Sequence, residues 1–593
     1  MKTIDRLRLI TGVIVLASVL AAPRAAFAAD RYLDTSASAG LQGSSAPKWT
    51  NTIWSVDMGG TNLTNIVSND NAFVQVDTGK ALGTLSFSVV PAGTNYFVND
   101  FTVGNGNNVT IGGVNFGFNI AGNITVRESS YLNWNGSGVF TFKPKTTTVL
   151  TIEGGSTNRY DAGASAKSYT MASLIFGEGS NRLALAAAQT LTFSSISGGS
   201  SNVIDLGGNS AAGVVISTAV ECAFDGAIVG PGTVEKKGSG KLALGGQNTF
   251  SGETTVSAGT LVVSNQLALQ NSRLVVNAKV FFGAGITEFT LGGLGYSASD
   301  LGLTNQTGDA ITLKVGNNSS ASTWNKNLTA SGNLVKVGSG TLTMNANNDY
   351  KGDTQILEGT LLFSGANGRL GGGTYNGSIS NDASMVWSNT LAQTLGGTIS
   401  GTGSLTKANS STLTLTGTNV YSGTTAVYGG TLKVSSARSL STNTALSVAS
   451  GSAVNLNATT QTCVSVGGTG FVTNGTLTVT EALYPGGSNT VGTLTLGNLT
   501  LAADSVVHWD YDAGVGDTNK VLGTATLPSS ATVQVNASGP LPSRAVLFDC
   551  DSLVAPSGVT GWVVAGALPN SFVKVEGTKL LLITIKGTMI SFH

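Results

Sequence analysis

Three stretches of this chain align with one another without a gap over 35 residues: 230–264, GPGTVEKKGSGKLALGGQNTFSGETTVSAGTLVVS; 330–364, ASGNLVKVGSGTLTMNANNDYKGDTQILEGTLLFS; and 401–435, GTGSLTKANSSTLTLTGTNVYSGTTAVYGGTLKVS. Equivalent places hold Lys236, Lys336 and Lys407; Leu242, Leu342 and Leu413; Asn248, Asn348 and Asn419; Phe250, Tyr350 and Tyr421; and Gly252, Gly352 and Gly423. Apolar residues alternate in short runs such as Leu242-x-Leu244 and Leu413-x-Leu415, with Gly or Asn between the runs. That period-two pattern describes short strands joined by tight corners. One such unit cannot bury its own apolar face, whereas stacked units pair each rung's backbone with the rungs above and below. A repeated Asn or aromatic corner is then expected to form a ladder between rungs.

The copies lie 100 and 71 residues apart, and the intervening stretches 265–329 and 365–400 read as degenerate repeats with insertions at corners. A regular coil with worn turns fits these offsets better than three modules on linkers. Composition agrees. Gly accounts for 80 of 593 residues, Pro for only 11, charged residues for 10% and hydrophobic residues for 41%. Collagen, Pro-rich linkers and disordered low-complexity chains are thereby excluded. Residues 30–225 keep the texture without a clean copy and are expected to form an N-terminal cap and irregular rungs. Residues 226–440 hold the repeats, and 441–593 are read as late rungs and a β-rich C-terminal cap.

The N-terminus reads as an export signal. Met1–Arg8 carries Lys2, Arg6 and Arg8, Leu9–Ala22 is apolar, and Ala26-Phe27-Ala28 supplies small residues for cleavage after Ala28 or Ala29. Residues 1–29 are therefore assigned as a signal peptide. No later run approaches the roughly 20 apolar residues of a membrane helix, so no membrane-spanning segment is expected after cleavage. Removing the leader leaves 27 basic and 30 acidic side chains, which gives no electrostatic footprint for nucleic acid or anionic lipid.

The pattern G-x-G-x-L-x-K-x-G-x-G-x-L-x-L-x-x-x-N-x-(Y/F)-x-G-x-T-x-V-x-x-G-T-L-x-V resembles the autotransporter-associated β-strand repeat of bacterial passenger regions. Trp49–Asn51, Thr52–Trp54 and Pro485-Gly486-Gly487 before Gly492-Thr493-Leu494 resemble the flanks of that class more loosely. The resemblance implies an all-β fold, a right-handed parallel β-helix (solenoid) with β-rich terminal caps, together with export, surface display and no shared catalytic residues. One departure concerns the translocator barrel that closes an autotransporter. Repeat-like sequence persists to about residue 500, which leaves no room for a twelve-strand barrel of about ten residues per strand. Self-translocation is not expected.

Candidate chemistry is sparse. The histidines are His508 and His593, which form no Ser-His-Asp or Cys-His set with a second histidine and no His cluster for a metal; His508 is read as a strand-surface residue. Asp510, Asp512 and Asp517 form D-x-D-x-x-x-x-D, with Asp510 and Asp512 on one strand face. They read either as a hard-cation site or as a solvated strand edge, and the second is preferred. Lys351-Gly352-Asp353 resembles an integrin-type tripeptide, but the repeat itself accounts for its Gly. Lys236, Lys336 and Lys407 read as strand-end lysines that keep the edge soluble, in preference to an aligned contact for an anionic polymer. Cys222, Cys463 and Cys550 lack metal spacing; Cys463–Cys550 is a conceivable disulfide, and buried free thiols are the preferred reading.

The expected function is that of an exported, non-enzymatic structural or adhesive surface protein, without cofactor or metal. Such a rod presents polar faces to extracellular glycans, matrix or cell-surface components, and the chain is expected to be secreted or cell-surface in a Gram-negative-type bacterium. Two alternatives stand beside it: a polysaccharide-active β-helix enzyme, marked by an Asp/Arg cluster on an exposed rung face, and a non-catalytic carbohydrate-binding passenger, marked by a shallow groove lined with Trp or Tyr.

Overall fold

Four-residue strands with period-two burial are too short to fold alone, and in this chain they are stacked. The computed structural model describes residues 94–585 apart from 105, 107, 113–115, 121, 136–140, 162–166, 187 and 567–569, together with the strands Asp30–Leu33, Trp54–Ser55, Leu63–Thr64 and Asp70–Val74. The signal segment 1–29 lies outside the described residues. The fold is an all-β solenoid of about 19 turns of parallel strands. Among the described residues the only helical element is the 3-10 turn Gly371–Gly373.

Copy one shows how a rung is built. Thr233–Lys237 forms one face, Lys241–Leu244 the second, and the extended segment around Asn248–Phe250 the third. The chain then returns, and Thr254–Val256 pairs in parallel with the first strand while Thr260–Val263 pairs with the second. Leu242 thus sits against Leu261 inside a single repeat, as Leu342 does against Leu361 and Leu413 against Leu432. All six are buried, and each contributes roughly 1.5–3 kcal/mol of hydrophobic stabilisation. Neighbouring columns merge into one apolar core running through the described solenoid. Within it Phe363 stacks on Trp387 with ring centroids 4.0 Å apart.

Register fixes the length of a turn. Lys236 pairs with Val256, and the column continues through Val276, the Ser297 corner, Trp324, Met344, Phe363 and Trp387 to Lys407. Eight steps cover these 171 residues, so a turn averages about 21. Lys336 follows a different column, through Val315, Leu291 and Leu269 back to the Asn248 face. The offsets of 100 and 71 residues are therefore not whole turns, and copy two is rotated by one face relative to its neighbours. The degenerate stretches between copies are continuous rungs with corner insertions, such as the bridged loop between Thr304 and Ala310.

Near the C-terminus the pairing changes sense. Arg544–Val554 and Ser571–Glu576 both pair antiparallel with Lys579–Thr584. A closing hairpin covers backbone groups that a parallel rung would leave open.

Candidate functional site

The repeated lysines depart from the sequence expectation. Each is inward-facing and at most 1% exposed, so none is a strand-end solubiliser or a contact for an anionic polymer, and the three do not form one line. Lys336 Nζ donates to the carbonyls of Val337 (2.6 Å), Gly338 (2.6 Å) and, one rung on, Glu358 (3.1 Å). Lys407 does the same with Ala408, Asn409 and Gly429, and Lys236 with Lys237, Gly238 and Ala258. An ammonium group has three donors and no acceptor, so the corner consumes all of them. Burial pushes the Lys336 and Lys407 amines down to about 8 and lowers that of Lys236; Glu358 acts against the shift at Lys336.

The repeated Asn acts by a related device. Asn248 Oδ1 accepts from Ile228 N at 2.7 Å, and its Nδ2 donates to Ala268 O at 2.9 Å. Asn419 links Ile399 N to Ser439 O. In these two copies the amide bonds both adjacent rungs rather than forming an Asn–Asn ladder, whereas Asn348 accepts from Leu328 N of the preceding rung and donates to Ala346 O of its own. A direct Asn pair occurs further towards the N-terminus, where Asn181 Nδ2 donates to Asn202 Oδ1 at 2.9 Å. Beside the amide, the Tyr350 hydroxyl bonds Thr354 Oγ1 (2.6 Å), which meets the Tyr375 hydroxyl (2.9 Å). Tyr421, Thr425 and Thr444 repeat the chain. Phe250 has no hydroxyl, and there Thr254 pairs with Ser272 instead.

The carboxylates of the C-terminal rungs are separated by environment. Asp517 is buried; its Oδ1 accepts from Gly492 N at 2.6 Å and its Oδ2 from Asp510 N at 2.9 Å. Burial raises its carboxyl to about 7, with Asp510 adding to the rise and the two N–H donors opposing it. It braces a hairpin and does not face a common centre with Asp510 and Asp512. Asp510 and Asp512 do share a groove of about 730 Å³, where Asn536 Nδ2 on the adjacent strand donates to Asp510 Oδ1 at 2.9 Å and the Ser538 hydroxyl donates to Asp512. Asp510 is 5% exposed and Asp512 exposed, so the pair is not simply a solvated edge. Among the described residues no three His, Cys, Asp or Glu side chains form a metal-binding group. His508 lies flat on Tyr484 with centroids 4.2 Å apart, and burial lowers its basicity.

The remaining candidates are also placed. Cys222, Cys463 and Cys550 are free thiols. Cys463 and Cys550 lie on strands four pairings apart, roughly 19 Å at the usual strand spacing. A disulfide requires Cα atoms within about 7 Å, so that pairing is excluded. Burial pushes both thiols up to about 12. In the tripeptide, Gly352 packs on the next rung, Asp353 accepts from Ser378 N at 2.8 Å, and Lys351 pairs with Asp349. Sequence reading missed an outward groove formed by Glu253, Arg273 and Tyr296. Its signal is Gly292-Gly293 and Gly295 directly before an aromatic residue in a degenerate rung.

The passenger-associated-transport-repeat family matches residues 234–263, 334–363 and 405–434, the spans in which these lysine and asparagine corners recur. No curated protein and no solved structure matches the chain. Repeats of this family imply an exported or cell-surface protein and a structural domain. Among the described residues no helix is long and apolar enough to cross a membrane, a statement that does not extend to strand-built barrels. The chain thus carries three passenger-associated transport repeats within a β-solenoid, and the two together match an autotransporter passenger-like β-helix.

Proposed function

We propose that the chain is a Sec-exported structural and adhesive rod that presents polar outer faces to glycans, matrix or neighbouring cells at the cell surface. The observation that carries this reading is the fate of the repeated polar residues. Lys336, Asn348, Tyr350 and Thr354 are turned inward and joined to backbone or to each other. The repeat therefore maintains stacking, and its outward positions are free to vary. A scaffold with a constant interior and a variable exterior suits presentation over reaction.

Fractionation of the native host cells tests the proposal, combined with protease shaving of intact cells and an adhesion assay on glycan- or matrix-coated surfaces. Surface-accessible chain that retains cells on such coatings is the expected result; a cytoplasmic chain, or an adhesion-neutral deletion, overturns it. The enzymatic alternative is tested separately. Turnover of any polysaccharide by the purified chain, abolished by Asp510→Ala, would replace the structural reading.

A further inference from the structure

The outer face narrows to a notch at the rung that contains Glu288–Leu294. Gly293 and Gly295 offer no side chain there. A methyl at Gly295 would strike Val275 Cγ2 at 2.4 Å, and one at Gly293 would crowd Ser322 at 3.3 Å. The result is a groove of about 580 Å³ lined by Glu253, Arg273, Val275, Tyr296, Thr323 and Thr343 among others. A second, adjoining depression shares Glu253, Arg273 and Ser322 and extends the groove towards Ser320.

Three features of the groove bear on what it holds. Tyr296 is 75% exposed, yet its backbone is pinned on both sides. Gly295 N donates to Leu274 O at 2.8 Å, Ser297 Oγ accepts from Val276 N at 2.9 Å, and Ser297 and Asn325 exchange two bonds of 2.6 and 2.9 Å. The backbone that carries the ring is already ordered, so a ligand that covers it costs only the ordering of the side chain. Next, Arg273 Nε and Nη2 both donate to Glu253 Oε2, at 3.1 and 2.7 Å, and Thr255 Oγ1 donates to Glu253 Oε1 at 3.0 Å. The pair is neutralised and oriented, which removes the attraction an unpaired guanidinium would exert on an anion. Lastly, the opposite wall is hydroxyl-bearing, with Ser322, Thr323 and Thr343.

The geometry points to a binding site for a neutral saccharide, with Tyr296 as the platform for the apolar face of a sugar ring and the Arg273–Glu253 pair and the hydroxyl wall as partners for its hydroxyls. A flat amphipathic ring beside polar groups of fixed direction matches a ligand that has one apolar face and hydroxyls round its edge. The site deepens the surface-contact role proposed above and rests on it only for where the ligand is met.

The purified chain is applied to an array printed with neutral gluco-, galacto- and manno-oligosaccharides beside sulfated and uronic-acid sets. Binding to members of the neutral set is expected, weakened at least about tenfold by Tyr296→Ala. Tyr428→Ala, at a ring 63% exposed on another rung, leaves binding unchanged, and Tyr296→Phe keeps most of it. Unaltered thermal melting of the Tyr296 variants shows that the fold is intact. The inference is overturned if the folded chain ignores the neutral set, binds as well with Ala at 296, or prefers the anionic sets. None of these outcomes bears on cell fractionation, so the two readings fail separately.

Discussion

Lys236 and Lys407 occupy one column of the solenoid, eight rungs apart, while Lys336 stands on the neighbouring face. Each ammonium nevertheless makes the same three carbonyl bonds. The repeat therefore works through its own two rungs and needs no alignment with the other copies.

Lys336→Met leaves the carbonyls of Val337, Gly338 and Glu358 without this donor. An unsatisfied buried acceptor costs about 1–3 kcal/mol, partly offset because a desolvated ammonium is removed. A net loss of about 2 kcal/mol is expected, with hydrogen exchange faster in adjacent rungs and unchanged in distant ones. The pH dependence has a definite sign. The folded amine titrates at about 8 and the unfolded one at 10.5, so between those values the unfolded chain holds more protons and stability rises with pH. Over that window the advantage of wild type over Lys336→Met widens.

Gly423→Ala tests the close approach of rungs at the repeated corner. A Cβ there would lie 2.1 Å from Gly403 O, as one at Gly252 would from Gly232 O. Backbone must move, and about 2–3 kcal/mol of destabilisation is expected. Ala at exposed Gly558, where the backbone has a positive φ of 70° that Gly423 lacks but nothing stands near the added carbon, isolates backbone strain from steric clash. Chemical denaturation of the two variants should show the larger loss at 423.

Asn348 is expected to tolerate neither loss of its acceptor nor loss of its donor. Its Oδ1 accepts from Leu328 N at 3.0 Å and its Nδ2 donates to Ala346 O at 2.9 Å. Asn348→Ala strands both groups and should cost about 2–4 kcal/mol. Asn348→Asp keeps the acceptor but buries a charge against a carbonyl, and should recover only at acid pH. Melting temperatures at neutral and acid pH separate the two effects.

Asp517 supplies a second pH signature, of opposite sense. Its folded carboxyl titrates at about 7 against an ordinary 3.8, so between those values the folded chain holds more protons. Stability therefore falls as pH rises through this window. Asp517→Asn removes the slope while losing one of the two accepted backbone bonds. The melting-temperature gap between wild type and variant should be widest near pH 4 and shrink towards pH 7; parallel curves would reject the assignment.

The stacked strands were legible because Leu242, Leu342 and Leu413 alternate with polar neighbours and close each copy against a second apolar run. The lysines were misread although the pattern held their answer. Lys336 follows Leu334 by two residues, as Lys407 follows Leu405, which puts both on the inward parity of their strands. The usual preference of lysine for water outweighed that parity. The environments of Asp517 and Tyr296, though not the residues themselves, were beyond sequence reading for a different reason. Their surroundings come from residues about one turn away, Gly492 for the first and Val275 and Asn325 for the second. In degenerate rungs no repeated residue fixes which neighbour that will be.

The antiparallel closure at Lys579–Thr584 has a consequence for size. A parallel stack grows by adding rungs to an open edge, and a second molecule could extend it end to end. Here Arg544–Val554 is already met by a strand running the other way, which offers no register for a further parallel turn. About 19 turns at roughly 4.8 Å each give a stack of roughly 90 Å. The reach of the described stack is thus a count of its rungs, added one turn of sequence at a time.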